Sequence, residues 1–473
     1  METDLADSAD QALEAGSCLI ELPAGCGKTE LLTAIAGRSA QRDERPLILT
    51  HTHAGVDALR HRLRRFGIPQ SAVGLSTLAS WTQRIVRHFP QLSGLGPTAD
   101  IEALEWPETY EAAITALEHV HVAALISDTY SLVLVDEYQD CTVDQGTIVK
   151  HITGLVPTVV IGDRMQGIYG FRDNVLTDWD TLGLPFHEVD HSPWRWIGRN
   201  EDLGEWLLVQ RQRLAAGEAI DLTDAPARWV ADTPENRRTA LHRLADGDGT
   251  AVVLDGFRNQ RVTTAKSLGG RFGVMEELEG AAMLGFADQF DTGDGFQAGI
   301  AVIDFVKSCF TNVPSTYSGK AEALERRDIP TYREGACRVA LDALTVLVDS
   351  PTAGNLVAAL SAAEELPGTT LVCKEAWRDT LHAARWSEES EHTESATIRE
   401  CIVKLRDRAR LLGRRPERRT VSSTLLIKGL EYDRCVVLRA QDLDAENLYV
   451  AMTRARDKLV IMSDTPYLHP STV

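Results

Sequence analysis

The chain is short of several common signatures. No run of 18 apolar residues occurs in its 473, which argues against a transmembrane helix. The opening METDLADSADQALEAG is acidic and has no apolar signal-peptide core, so the expectation is a cytoplasmic protein that engages no membrane. The eight cysteines, at 18, 26, 141, 309, 337, 373, 401 and 435, form no C-x-x-C pair. That leaves zinc and iron–sulfur sites without support and makes reduced thiols the simplest reading. Internal repeats are missing too. So is a basic excess: the formal net charge is −20, which on its face opposes a nucleic-acid binder. Net charge hides local fields, however. KLRDRARLLGRRPERR (404–419) holds eight basic residues against two acids, and ALRHRLRR (58–65) is basic as well. Taken singly, each run reads as a solvated helix face; a basic channel on an acidic body is the other reading.

At ~150 residues per domain, the length allows about three domains. Hydrophobic residues at 44% and charged ones at 25% are the proportions of a soluble globular protein. The most informative stretch is SLVLVDEYQD, 131–140. Leu132–Val135 is a short apolar run with β-branched residues, as in a strand buried on both faces of a parallel sheet. Asp136 and Glu137 then fall at its carboxyl end, where open α/β sheets bind ligands. Adjacent carboxylates repel near a core. A Mg²⁺ ion held by one or two carboxylates and by phosphate oxygens relieves that repulsion.

The phosphate partner is LIELPAGCGKTELL, 19–32. A strand-like start, a small-residue loop and a helical pattern follow in the order of a P-loop. The nucleotide-binding set is Pro23, Ala24, Gly25, Cys26, Gly27, Lys28, Thr29 and Glu30. Backbone N–H groups of such a loop face phosphates, and the helix N-terminus adds its dipole. Lys28 reaches the β- and γ-phosphates, and Thr29 ligates Mg²⁺ together with Asp136. Glu137 is the base that orients and activates water. Leu22 stands where the strict pattern has a small residue. Cys26 needs only to be small.

Five ordered blocks narrow the reading. After the P-loop, D-E-Y-Q-D (136–140) resembles the D-E-F/Y-Q-D of superfamily 1 helicases of the UvrD/Rep type. VVIGDRMQGIYGFR (159–172), SSTLLIKGLEYD (422–433) and LYVAMTRARDKL (448–459) resemble further blocks of that family. The resemblance implies two RecA-like lobes closing on one ATP, with ATP hydrolysis driving 3′-to-5′ movement on single-stranded DNA. It implies that Gln166 senses the nucleotide and couples it to DNA, that Arg454 is a finger on the γ-phosphate, and that Glu431 contacts the ribose. HSPWRWIGR (191–199) resembles the site of a second finger, Arg195, with Trp194 as a platform for adenine. Trp194 and Trp196 also read as residues that bury against a helix. Tyr169, Phe171 and Arg172 suit stacking on bases beside a backbone-binding cation, or, for the two aromatics, a place in the core. LILTHTHA (47–54) resembles a DNA-backbone strand through Thr50, His51 and Thr52, and STLASW (76–81) a contact through Thr77. No adenine-reading motif is visible, Gln11 being the nearest candidate, and Leu425 replaces a family histidine.

The expected organisation is α/β, with two P-loop-type lobes containing parallel sheets and each carrying a mostly helical insertion. The first lobe covers 1–83 and 129–175 with an insertion at 84–128. The second covers 176–285 and 413–473 with an insertion at 286–412. The compact layout resembles the helicase-like subunit of Gabija antiphage systems. That likeness implies a partner nuclease of the overcoming-lysogenization (OLD) type beside single-stranded or partly duplex DNA. Two functions stay open: a motor that separates strands, and an ATPase that senses DNA and reports to a nuclease.

Overall fold

The computed structural model describes residues 2–96, 100–101, 104–170, 175–277, 280–329, 335–390, 396–412 and 417–471. Its contacts divide the chain into two compact units. One comprises Met1–Pro226, Asp442–Asp457 and Tyr467–Val473, the other Ala227–Gln441 and Lys458–Pro466.

The first unit is built on five strands: β1 (Cys18–Glu21), β2 (Pro46–Thr50), β3 (Gly74–Thr77), β4 (Leu132–Val135) and β5 (Thr158–Gly162). They pair in parallel in the order β1-β5-β4-β2-β3. Strands β2, β4 and β5 are buried along their whole length, which is why they read as apolar runs and not as alternating patterns. Alternate side chains still go to opposite faces. Leu19, Leu47, Leu49, Val133, Val135 and Val160 enter one core with Trp81 and Tyr110. Ile20, Ile48, Leu132, Leu134, Val159 and Ile161 enter another with Leu31, Leu32 and Ile35. The helices α1 (Glu2–Ala15), α2 (Lys28–Gln41) and α3 (His53–Arg65) cover the second of these faces.

This order carries a consequence for chemistry. β5 lies between β1 and β4, so the loops after β1 (P-loop), β5 (Asp163–Gln166) and β4 (Asp136–Glu137) emerge side by side at one sheet edge. The segment 176–226, expected to open the second lobe, belongs with this first unit. Backbone bonds from Leu19 to Pro185 (2.9 Å) and from His187 to Leu19 (2.8 Å) tie it to β1. The helix Glu201–Ala215 adds Arg211, paired with Glu21 and Asp163.

The second unit holds a six-stranded sheet. Its Ala251–Leu254 strand pairs in parallel with Arg419–Ser422 and with Tyr432–Val437. Between Gly273–Val274 and Arg419–Ser422 the chain runs mainly through helices, from Ala281–Thr292 to Ile398–Leu412. Their core is aromatic: the rings of Phe286 and Phe305 lie 4.6 Å apart, and those of Phe305 and Trp377 5.5 Å. Among the described residues the fold is thus α/β, with one five-stranded and one six-stranded sheet as its two large sheets and with helical insertions. Among the described residues no helix is long and apolar enough to cross a membrane.

Candidate active site

The loop after β1 depends on two glycines. Gly25 (φ 73°) and Gly27 (φ 88°) take left-handed backbone, which residues with a Cβ adopt rarely. Space is also short, severely at Gly25 and less so at Gly27. A Cβ on Gly25 would lie 2.7 Å from the Trp196 ring and 2.9 Å from Arg195 Cβ, and one on Gly27 3.3 Å from Trp194. Gly27 caps α2, so Lys28 and Thr29 open that helix with its N–H groups exposed toward the loop. The Lys28 ammonium is buried and donates to the carbonyls of Leu22 (2.9 Å) and Pro23 (3.3 Å). Burial pushes the Cys26 thiol up to about 12, against the opposing charge of Lys28, which disfavours the reactive thiolate. Glu30, expected with the nucleotide set, instead places its carboxylate on Arg62 (2.8 Å) and Arg65 (3.2 Å) of α3.

At the end of β4, Asp136 is buried and its backbone N–H donates to Leu49 O at 2.8 Å. Burial, then the neighbouring Glu137 charge, raise its carboxyl to about 7, with Lys28 opposing. Glu137 sits at φ 52°, ψ 43°, a left-handed geometry that costs a non-glycine residue about 1–3 kcal/mol and clusters at functional sites. Two crowded carboxylates, one of them held toward its protonated form, are what a hard cation relieves. With the Thr29 hydroxyl, Asp136 offers the oxygen donors that Mg²⁺ takes; the residues fit that ion.

The sign of the Asp136 shift gives a test. A carboxyl whose folded value is raised loses stability for the protein as pH climbs from its ordinary 3.8 to about 7. In metal- and nucleotide-free protein, Asp136→Asn is therefore expected to raise the melting temperature at pH 8. A rise of at least ~2 °C corresponds to roughly 1 kcal/mol in a domain of this size. At pH 5, only part of the way through that window, the rise should be clearly smaller. Calorimetry at the two pH values checks this; an equal effect at both would remove the ionisation argument.

A network centred on Asp163 links these parts. Its carboxylate is fully buried and accepts from Gln166 Nε2 (2.8 Å), Arg211 Nε (2.9 Å) and Tyr449 OH (3.3 Å). Its backbone N–H donates to Gln139 Oε1 at 3.0 Å, and the other end of that amide donates to Glu137. The Tyr449 oxygen in turn accepts from Ala24 N of the P-loop at 2.9 Å. A continuous path therefore runs Glu137–Gln139–Asp163–Tyr449–Ala24, with Gln166 branching from its centre.

The wall beside Gly25 comes from far along the chain. The Arg195 N–H donates to Gly25 O at 3.2 Å, and its guanidinium donates to Thr453 O at 2.7 Å and lies 5.4 Å from the Trp196 ring. Trp196 is buried, with its indole N–H on Ala455 O at 2.7 Å, while Trp194 remains 36% exposed. Arg454, expected from the second lobe, belongs with the first unit. It is buried and donates through Nε to Val450 O (2.9 Å) and through Nη2 to Thr453 Oγ1 (2.8 Å).

The expected DNA contacts are placed unevenly. His51 and Tyr169 come together, with rings stacked at 6.1 Å and 27°. The Thr52 hydroxyl caps α3 by accepting from Gly55 N (3.0 Å), and Thr77 caps the helix Leu78–His88 by accepting from Ser80 N (3.0 Å). Thr50 is buried at the end of β2. Phe171 and Arg172 lie outside the described residues. Glu431 is exposed just before the strand Tyr432–Val437 of the second unit. Tyr449, Arg211 and the central place of Asp163 were missed by sequence reasoning. Tyr449 lies inside a quoted block, where its apolar surroundings read as core. Arg211 carries no signal at all in a polar helix.

Residues 98–180 match the family model of the UvrD/REP helicase N-terminal domain, and residues 372–463 that of the viral superfamily 1 RNA helicase core domain. No curated protein matches the chain. Among solved structures, the Pif1 helicase from Candida albicans is similar with a TM-score of 0.31 and 15% identity. That alignment covers 56% of this chain and 53%, about half, of the other. The first matched model spans Asp136, Glu137, Asp163 and Gln166, the second Glu431 and Arg454, in chain order. Together the two models support a helicase of superfamily 1.

Proposed function

We propose that the chain is an ATP-dependent DNA helicase or translocase that moves on single-stranded DNA, with the 3′-to-5′ polarity that its motif blocks imply. The observation that carries the reading is the Asp163 network, which joins Glu137 to the P-loop through Tyr449 and holds Gln166 at its centre. In this reading Lys28 leaves the Leu22 and Pro23 carbonyls for the β- and γ-phosphates. Thr29 and Asp136 hold Mg²⁺, which supplies charge neutralisation of the phosphates when bound. Glu137 takes the proton of the attacking water. Arg195 opposes the charge that develops on the transferred group, and Trp194 offers its exposed face to the base. Gln166 transmits a change at the γ-phosphate into Asp163 and onward, a role supported by its bond to the Asp163 carboxylate. The adjoining His51–Tyr169 pair is the nearest surface for a stacked base.

Glu137→Gln is expected to keep nucleotide binding and to lose about 10²–10⁴ in turnover, the usual contribution of a positioned base. Stopped-flow binding with a fluorescent ATP analogue and phosphate release measure the two separately; unchanged release would remove Glu137 as the base. The unwinding claim needs its own assay, strand displacement on a duplex with a 3′ single-stranded tail. Leu425 stands where the motif likeness calls for a histidine coupling ATP to DNA, which favours a second reading: an ATPase that senses strands and regulates a partner nuclease. DNA-stimulated hydrolysis without displacement selects that second reading over the motor.

A further inference from the structure

The helical body of the second unit carries a groove that the motor chemistry does not use. It lies between the helices Lys374–Ser390 and Ile398–Leu412 and encloses about 660 Å³. Arg378, His382, Arg385, Trp386 and Glu389 line it from the first helix and Lys404 from the second. Spacings of i, i+4, i+7, i+8 and i+11 put the first five on one helix face. Arg378 and Arg385 are then about 10 Å apart along the axis, at ~1.5 Å rise per residue. The Lys404 ammonium lies 5.8 Å from the Trp386 ring centre, and Leu381 and Leu405 supply apolar floor.

The charges here are disposed unlike those nearby. On the same two helices Lys374 pairs with Glu417 (3.1 Å), Arg399 with Asp288 (2.8 Å) and Arg406 with Glu375 (2.7 Å) and Asp379 (2.9 Å). Arg378, Arg385 and Lys404 face the groove without an ion pair among the described residues. Three uncompensated cations against one lining acid make a local positive field on a chain of net charge −20. They are strung along an axis and do not converge on a point, so a small anion is a poor fit and a polyanion a good one. The half-buried Trp386 and its apolar floor select a polyanion that also carries flat rings, because base–aromatic stacking needs such a face.

The geometry points to a second contact for single-stranded nucleic acid, outside the motor, in which backbone phosphates follow Arg378, Arg385 and Lys404 and a base stacks on Trp386. This rests on the reading that the chain works on single strands. A strand long enough to reach both places binds more tightly than one that fills only the motor surface.

The test uses the full chain and labelled oligo-dT of about 10 and about 40 nucleotides, followed by fluorescence anisotropy across a salt series. Wild type should bind the longer strand at least tenfold more tightly. Arg378→Glu with Arg385→Glu should remove most of that advantage and lower the salt slope by about 1.4, two phosphate contacts at ~0.7 each. Affinity for the short strand and DNA-independent ATP turnover should stay unchanged. Trp386→Ala should weaken the long strand at least about fivefold, the lower end of one lost stack, and Trp386→Phe should restore most of it. Unchanged long-strand affinity and slope in the folded double variant overturns the site while leaving the motor reading intact. Wild type that binds neither length overturns both. Poly-L-glutamate competing as well as unlabelled oligo-dT, with Trp386→Ala indifferent, also overturns it, since the groove would then be a general anion surface.

Discussion

Arg195→Ala should lower ATP turnover by about 10³ or more while leaving nucleotide affinity within tenfold. The magnitude is that of an arginine supplied to the γ-phosphoryl group in P-loop enzymes. The placement argues for Arg195 over Arg454. The Arg195 backbone is bonded to Gly25, its Cβ stands 2.9 Å from where a Gly25 Cβ would be, and its side chain is only half-buried. Its guanidinium rests on the Thr453 carbonyl and over Trp196, so it is held beside the loop before any nucleotide arrives. Preorganised charge of that kind costs no rearrangement at the moment of reaction. Arg454 is buried and donates into its own helix end, to Val450 O and Thr453 Oγ1, beside the Thr453 carbonyl that Arg195 uses. Arg195→Lys should recover only part of the loss, because an ammonium lacks the planar fork. Single-turnover hydrolysis with both variants and Arg454→Ala, each checked for its melting temperature, separates the roles. If Arg195→Ala stays within threefold of wild type, while a folded Arg454→Ala loses a thousandfold, the two assignments must be exchanged.

How much of this was legible beforehand depends on whether a feature is local. Strands β2, β4 and β5 declare themselves because a strand covered on both faces must be mainly apolar, and LILT, LVLV and TVVIG are, with a threonine only at an end. The P-loop is legible because only small residues can follow a backbone that turns left-handed at Gly25 and Gly27. Glu137 could be singled out by its place after a buried strand, though its strained backbone could not. What stayed hidden is set by pairing across hundreds of residues. No local pattern says that β5 lies between β1 and β4, yet that order is what brings Asp163 beside the P-loop. No local pattern says that segment 176–226 returns to β1, so the boundary was expected at 176 and lies at 226. Tyr449 looks like any buried aromatic until Ala24 is found bonded to its oxygen, 425 positions earlier. The basic run 404–419 shows in the sequence as charge alone. The groove on its helix also needs Trp386 and two arginines from the neighbouring helix, which adjacency in sequence cannot supply.

Asp163→Asn should cost about 3–5 kcal/mol of stability, the usual result of removing one partner of a buried ion pair. Asparagine keeps the shape, so the loss reports charge and hydrogen bonding and not packing. Arg211 would be left in a largely buried setting with Glu21 still beside it as a counter-charge. The amide would also have to turn one N–H toward a donor, either Gln166 Nε2 or Arg211 Nε, because both now donate to the carboxylate. The acid limb of the stability curve gives a second reading. Burial pushes the Asp163 carboxyl up, but the charges of Lys28 and Arg211 outweigh burial and hold it below its ordinary 3.8. A depressed carboxyl contributes stability that is complete above the ordinary value and is lost as pH falls below it. Wild type should therefore lose stability below about pH 4 through this group, and Asp163→Asn should lose less there. Urea unfolding of Asp163→Asn, Arg211→Met and the double variant completes a cycle. The double variant should be more stable than the sum of the single losses predicts, by 0.5–3 kcal/mol, as coupled neighbours usually are. Strict additivity would mean that Asp163 and Arg211 do not act as a pair. The network would then lose its anchor, and the route from Glu137 to the P-loop would be a set of separate contacts with no capacity to pass a signal.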